Sequence, residues 1–186
     1  MKISISKENF DESLKILSKE YKIYAPKVFK MAGTFSDTDL IKYSEVSSVK
    51  EMAFEEKSNF SPKEVTLPIT QILFHFNEKE FSVPVEEGKG IIVFLRACDM
   101  HAVKRVDAIY LQNKYEDFYY KRVRDRVKFV VVGCSKSYDS CFCVSMDSNK
   151  YEDYQMGMNF RENELLLDIK DDVFNIFEGN PKDFEM

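Results

Sequence analysis

The sequence predicts an α/β (or α+β) fold, with a mixed sheet built on a central parallel β–α–β unit around residues 91–133 and helices packed on it. Two runs, IIVFLR at 91–96 and VKFVVVG at 127–133, have the continuous apolar character of strands that are buried on both faces. Between them, DMHAVKRVDAIYLQN at 99–113 places apolar residues on one helical face, and Asp99 is suited to cap that helix. A strand, a helix and a strand over about forty residues favour a right-handed crossover between parallel strands.

The segments before this unit predict one helix and several short strands. Phe10, Leu14 and Leu17 recur at helical spacing in SKENFDESLKILSKEY. In chain order we expect a helix over 6–21, a strand over 22–26 that ends at its proline, a strand around 40–43, and a turn or short helix over 47–56. The stretch ITQILFHF at 69–76 fits a strand and a helix equally well.

The segments on either side of the central unit predict an edge strand, turns, a hairpin and a late helix. Pro84 cannot donate to a ladder, so EFSVPV is interpreted as an edge strand. The basic run KRVRDRVK fits a solvated helix end or a turn before a strand better than a phosphate site. The remaining expectations are an edge strand over 80–85, a turn over 86–90, a hairpin over 158–169 turning at Glu162–Asn163, and a helix over 171–179.

Composition narrows the class of protein. The 186 residues are 44% hydrophobic and 32% charged, which is typical of a soluble globular chain. The net charge of −5 argues against a nucleic-acid or anionic-membrane binder, and no apolar run is long enough for a signal sequence or a membrane span. We therefore expect a cytoplasmic protein with one domain over 1–186, or with 1–58 as a separate small α/β lobe.

Four cysteines are placed where they can meet. Cys98 directly follows the first buried strand and Cys134 follows the second, so both lie at the carboxyl edge of a parallel pair, where ligands bind in open α/β sheets. Cys141 and Cys143 follow in the next loop, and in an extended segment they point the same way while Phe142 faces elsewhere as a core anchor. The amides at the start of the helix would stabilise thiolates and lower the thiol pKa values.

The cysteine pattern alone leaves several interpretations open. Four thiols suit a tetrahedral zinc ion or a [4Fe–4S] cluster, but the spacing C-x₃₅-C-x₆-C-x-C matches neither a zinc ribbon nor a bacterial ferredoxin run. Unligated thiols and a dithiol switch are alternatives, although a disulfide within C-x-C would be strained. A reactive Cys98 in an enzyme is a further hypothesis, which lacks a persuasive base because His75 is distant in sequence and His101 is better explained as a surface residue.

Several segments together resemble a known family. They are SPKEVTLP at 61–68, LRACDMHAVKRVD at 95–107, YEDFYYKRVRDRV at 115–127 and CSKSYDSCFCVSMD at 134–147. They resemble the family of iron–sulfur electron-transfer subunits of anaerobic sulfite reductase, which includes the beta subunit of cytoplasmic sulfhydrogenases. The R-A-C-D and C-F-C blocks are specific only as a pair. Family members usually carry a C-terminal module for two [4Fe–4S] clusters that this sequence does not contain, so the resemblance implies the N-terminal part of such a subunit or a short member.

The resemblance implies an electron-transfer role without catalysis by the chain itself. Cys98, Cys134, Cys141 and Cys143 would bind a further [4Fe–4S] cluster, which the isolated chain need not retain, and Arg96 and Asp99 would lie beside it and adjust its potential. Electrons would pass from an NAD(P)H-fed flavoprotein subunit to a sirohaem subunit that reduces sulfite, or to a nickel–iron centre in the hydrogenase branch. The alternative is a domain that only scaffolds its partners around a structural Cys₄ zinc site.

Overall fold

An eight-stranded mixed sheet organises the computed structural model, which describes residues 1–35, 37–84 and 88–185. The strands are β1 (Lys2–Ser6), β2 (Tyr21–Phe29), β3 (Leu40–Glu45), β4 (His75–Phe76), β5 (Phe81–Ser82), β6 (Gly90–Arg96), β7 (Val127–Val132), β8 (Met156–Phe160), β9 (Glu164–Ile169) and β10 (Asn180–Pro181). The main sheet has the order β10-β1-β9-β8-β7-β6-β2-β3, and β4 pairs with β5 separately.

Four helices and two 3₁₀ turns complete the described structure. The helices are α1 (Lys7–Leu17), α2 (Lys63–Thr66), α3 (Ala97–Tyr110) and α4 (Phe118–Arg124), and the 3₁₀ turns are Val49–Glu51 and Asp172–Ile176. Among the described residues, no helix is long and apolar enough to cross a membrane.

The central β6–α3–β7 unit confirms the predicted parallel crossover. β6 and β7 are parallel, with Ile91 opposite Val127 and Arg96 opposite Val132. β2 extends the parallel set on one side and β8 on the other, while the outer strands pair antiparallel. The sheet is therefore mixed, and its four central strands all end at the same edge.

Burial on both faces explains the continuous apolar runs in the central strands. In β6, Ile92 and Phe94 belong to the core beneath α1, while Val93 and Leu95 belong to the core beneath α3. β7 alternates in the same way between the two cores. A strand that is covered by helices on both sides has no face left for polar side chains.

Strand β2 is longer than the prediction, because it continues through Pro26 to Phe29. β6 pairs with β2 only over Tyr21–Tyr24, and beyond that point β3 is the neighbour, with Pro26 opposite Tyr43. A proline is tolerated where a strand has a partner on one side only, since its missing N–H can face the open side.

The other elements follow the predicted order with changed lengths. α1 is confirmed, with the Ser6 side chain accepting from the Asn9 amide at 3.2 Å. The predicted late hairpin is β8–β9, closed by the Arg161 amide donating to the Glu164 carbonyl at 3.0 Å. The expected helix over 171–179 is only a 3₁₀ turn, and the basic run does end a helix before a strand.

The segment between α2 and β6 has little regular structure. The ambiguous stretch 69–76 is a strand only at its last two residues, and the predicted edge strand over 80–85 is reduced to β5. Val85 and residues 86–87 of the predicted turn lie outside the described part of the chain. β1, β2 and β3, which all come from 1–58, are strands of the main sheet.

Candidate cysteine site

The four cysteines gather at the carboxyl edge of the parallel strands. Cys98 is the second residue of α3, directly after β6, and Cys134 follows β7 after one glycine. Cys141 and Cys143 lie in the loop that leads to β8. All four are free thiols. They are near enough for electrostatic interaction, because Cys134 and Cys143 affect the pKa of Cys98, and Cys141 and Cys143 affect that of Cys134.

A cavity of about 410 Å³ opens in front of three of these thiols. Cys98, Cys141 and Cys143 line it, whereas Cys134 is not part of the lining. The other lining residues come from the segment 57–61, from the first turns of α3 and its preceding arginine, and from the cysteine loop (Lys57, Ser58, Asn59, Phe60, Ser61, Arg96, Asp99, His101, Ala102, Arg105, Tyr138, Ser140, Phe142, Met146 and Ser148). Three stretches that are distant in sequence therefore build one space.

Arg96 connects the segment 54–56, just before the cavity lining, to the cysteine loop. It ends β6 and is 6% exposed. Its guanidinium donates to the Phe54 carbonyl at 2.8 Å, to the Glu56 carbonyl at 2.9 Å and to the Tyr138 hydroxyl at 3.0 Å. The Tyr138 hydroxyl in turn donates to the Phe54 carbonyl at 2.9 Å. The guanidinium also lies 5.4 Å from the ring centres of Phe54 and Tyr138, and its charge acts to lower the pKa of Cys134.

Asp99 occupies the first turn of α3 and is not the residue that caps the helix. The helix begins at Ala97, so Arg96 is the cap position and Asp99 lies three residues after it. The Asp99 carboxylate accepts from the backbone N–H of Arg96, which is the return bond of a capping box. It also accepts from the Tyr43 hydroxyl at 3.3 Å. Burial raises the pKa of Asp99, although Arg96 and these hydrogen bonds act against the rise.

The expectation of lowered thiol pKa values is wrong. The pKa of Cys98 is raised to about 11. The largest cause is loss of solvent around its sulfur, and the Asp99 carboxylate and the neighbouring thiols add smaller effects in the same direction. The pKa of Cys134 is also raised, mainly by burial of the sulfur, and Arg96 offsets only part of this. The negative neighbours and the desolvation outweigh the favourable field at the helix start. A bound cation that replaces the protons would relieve this crowding.

The loop that carries Cys141 and Cys143 is a series of turns. The Tyr138 amide donates to the Cys141 sulfur at 3.3 Å, and the Cys141 amide donates to the Tyr138 carbonyl at 2.8 Å. Lys57 holds the same loop by donating to the Ser140 hydroxyl at 2.8 Å. The prediction that Phe142 anchors the core is wrong, because its side chain is 70% exposed and lines the cavity. The alternation expected of an extended segment does not apply to turns.

Neither histidine supplies a convincing base for a reactive cysteine. His75 is exposed in the small β4–β5 sheet. His101 lines the cavity, but its Nε2 donates to the Lys150 carbonyl at 2.8 Å and its ring meets Tyr151 edge-on. The hypothesis of an enzyme that uses Cys98 as a nucleophile therefore gains no support from the positions of these side chains.

Four thiols match, by donor type, both a tetrahedral zinc ion and an iron–sulfur cluster. Within the residues that the structure describes, no group of three or more Cys, His, Asp or Glu could hold a metal ion as it stands. A tetrahedral zinc ion holds all its thiolates about 2.3 Å from one point, so the thiols would have to draw together around it. A cluster takes one thiolate on each of several irons, and its sulfurs are commonly hydrogen-bonded, as the Cys141 sulfur is here by the Tyr138 amide.

Sequence reasoning missed the residues that position the cysteines. Tyr138 is visible inside CSKSYDSC but no spacing rule marks it. The segment 54–56 contributes backbone carbonyls, which leave no signature in the side-chain sequence. Tyr43, from β3, reaches Asp99 across the sheet. Only the fold could place these groups beside the cysteines.

Comparison with known proteins gives a remote match. Sulfhydrogenase 2 subunit beta of Pyrococcus furiosus is 24% identical to the chain over 148 residues, which cover 79% of this chain and 41% of the relative. The chain therefore spans less than half of that relative's length. No family model matches the chain, and no solved structure matches it significantly. The match supports a distant relation to the sulfhydrogenase beta subunits, which is part of the resemblance found in the sequence.

Proposed function

We propose that this chain is an electron-transfer subunit of an oxidoreductase complex and that Cys98, Cys134, Cys141 and Cys143 bind one [4Fe–4S] cluster. The observation that carries the proposal is that four free thiols, from the start of α3 and from the loop after β7, lie within electrostatic reach of one another at the carboxyl edge of a parallel sheet. The distant relation to one component of a sulfhydrogenase supports the redox role.

The surrounding groups have clear tasks in this proposal. A bound [4Fe–4S] cluster supplies one-electron chemistry. The Tyr138 amide donates to the Cys141 sulfur, and the Arg96 guanidinium places positive charge near Cys134; both stabilise added negative charge and raise the reduction potential. Asp99 acts in the opposite direction, because a nearby carboxylate opposes added negative charge. Its bond to Tyr43 keeps it in place in the first turn of α3.

Two kinds of complex fit this role. The sequence motifs suggest an anaerobic sulfite reductase, in which an NAD(P)H-fed flavoprotein subunit would supply electrons and a sirohaem subunit would use them. The name of the distant relative favours a hydrogen-metabolising complex. Affinity purification of the tagged chain from its native cell under anaerobic conditions separates the two. A sirohaem subunit in the isolated complex supports the first, and a nickel-containing subunit supports the second.

The rival proposal is a scaffold with a structural zinc ion. By donor type the four thiols suit a zinc ion as well as a cluster, and no group of the described residues is arranged as a ready site for a metal ion. Anaerobic purification followed by metal analysis decides between the two. We expect a brown protein with about four irons per chain, with Cys98→Ser reduced in iron and Ser135→Ala, in the same loop, unchanged. Colourless protein with one zinc would establish the scaffold, and four alkylatable thiols without metal after anaerobic reconstitution would refute both.

A further inference from the structure

We propose that the rim of the cysteine cavity is the docking face for a redox protein with an acidic surface, and that Phe142 is the centre of the contact. This inference rests on the proposed function and adds the chemistry of the partner and the point of contact. It follows from two independent features of the rim, which are its exposed apolar side chains and the sign of its charges.

The apolar part of the rim is unusually exposed. Phe142 is 70% exposed, Met146 51% and Phe60 46%, and all three line the cavity. Val144 lies between Phe142 and Met146 in the sequence of the cysteine loop and is 71% exposed. Contiguous exposed apolar residues beside a cavity are typical of interaction sites, and aromatic side chains are the usual centres of binding energy. Because Phe142 stands between Cys141 and Cys143, a protein that covers it lies directly against the cysteine site.

The charges of the rim select an acidic partner. The residues that line the cavity and carry a charge at neutral pH are the bases Lys57, Arg96 and Arg105 and the acid Asp99, with His101, Tyr138 and the cysteines left aside. Arg96 and Asp99 are engaged within the site, so the exposed charges of the lining are the two cations Lys57 and Arg105. The whole chain carries −5, so this rim departs from the rest of the surface.

Asp139 and Asp147 of the cysteine loop are not among the residues that line the cavity, and Glu55, close to Lys57 in sequence, is paired with Lys136 at 3.9 Å. Complementary charge around an apolar centre speeds association and fixes orientation more than it adds affinity. In each encounter one electron passes across the contact. One centre is oxidised by one electron, the other is reduced by one, and no bond or proton is exchanged.

The test measures binding of the anaerobically prepared chain to two acidic probes, a plant-type [2Fe–2S] ferredoxin and a flavodoxin, by isothermal titration calorimetry. Phe142→Ala and Arg105→Glu should each weaken binding about tenfold, as expected for a central aromatic and a charge reversal at an interface. The matched controls are Phe118→Ala, also exposed but on α4, and Lys19→Glu, which precedes β2 at the opposite edge of the sheet. Both controls should bind like the unchanged chain.

The outcomes separate docking from cluster binding, because iron content is measured on every sample. Binding that is lost with the rim variants and weakened by salt, at unchanged iron content, supports the docking face. The inference is overturned if the chain binds neither probe, or if the rim variants bind as tightly as the controls. Absence of iron with intact binding of the probes refutes the proposed function and the electron transfer across the contact, and leaves only the docking face.

Discussion

Replacement of Arg96 by methionine should destabilise the chain and loosen the cysteine loop. The side chain is 6% exposed and donates three hydrogen bonds of 2.8–3.0 Å, to Phe54, Glu56 and Tyr138. Hydrogen bonds from a charged group are each worth about 1.5–3 kcal/mol. Two effects offset part of this loss. The Phe54 carbonyl still accepts from the Tyr138 hydroxyl, and methionine removes the cost of burying a charge. The net loss in the free energy of unfolding should be about 3 kcal/mol.

Urea denaturation of the metal-free chain measures this loss, and hydrogen exchange over 134–147 measures the opening of the loop. Arg96→Met should speed exchange at the Tyr138 and Cys141 amides, because the loop then lacks its bond to the end of β6. Arg105→Met is the matched control, because Arg105 is exposed on the same cavity. Such a surface change should alter stability by no more than about 0.5 kcal/mol.

A double-mutant cycle with Tyr138→Phe tests the cause of the effect. The tyrosine hydroxyl accepts from Arg96, so its removal alone should cost about 1 kcal/mol. The two substitutions share one contact and should together cost less than the sum of their separate effects. A loss below about 1 kcal/mol for Arg96→Met, or strict additivity in the cycle, would show that Arg96 does not hold the loop.

Three further predictions concern single side chains. Cys98→Ser should leave reconstituted protein with less iron than the unchanged chain, and full iron content would remove Cys98 from the ligand set. Asp107→Asn should lower stability by about 2 kcal/mol, since it breaks a largely buried pair with Arg124 (N–O distance 2.9 Å), and an unchanged urea midpoint would contradict this. Burial opposes ionisation of Asp171, but hydrogen bonds from Lys128 and a backbone amide outweigh it and lower the pKa of its carboxyl. The pKa of Asp171 in the folded chain thus lies below the unfolded value of about 3.9. The contribution of its ionised carboxylate to the free energy of unfolding is therefore full above the unfolded pKa and is lost as pH falls through the folded pKa. Asp171→Asn should therefore cost about 1 kcal/mol at neutral pH and little in acid, and a loss that is equal at both pH values would refute the reasoning.

The central unit was predictable because burial on both faces leaves a direct mark on the sequence. β6 and β7 can tolerate no polar face, so their apolar runs identify them and indicate a parallel pair. The end of β2 was predicted wrongly at Pro26, because the effect of a proline depends on which neighbours the strand has at that position. Pairing partners are a property of the sheet, and no local rule contains them.

The cysteine site was predictable in its location and less so in its details. Parallel strands end at one edge, and this placed Cys98 near Cys134 although 35 residues separate them. The wrong orientation of Phe142 and the wrong direction of the thiol pKa values have one origin. Each was argued from a local feature, an extended backbone in one case and a helix start in the other. The turns of the loop and the crowding by Asp99 and the other thiols decided the outcome.

The cysteine site combines one thiol at a fixed strand–helix junction with others on a loop that side-chain contacts hold in place. Cys98 is held in place because it lies at the junction where β6 ends and α3 begins. Cys141 and Cys143 depend on turns that Arg96 anchors through Tyr138. In the proposed cluster site, the turns of the loop are therefore the part whose position depends on a contact outside the loop itself. We expect loss of the Arg96 anchor to lower the amount of iron that reconstituted protein retains.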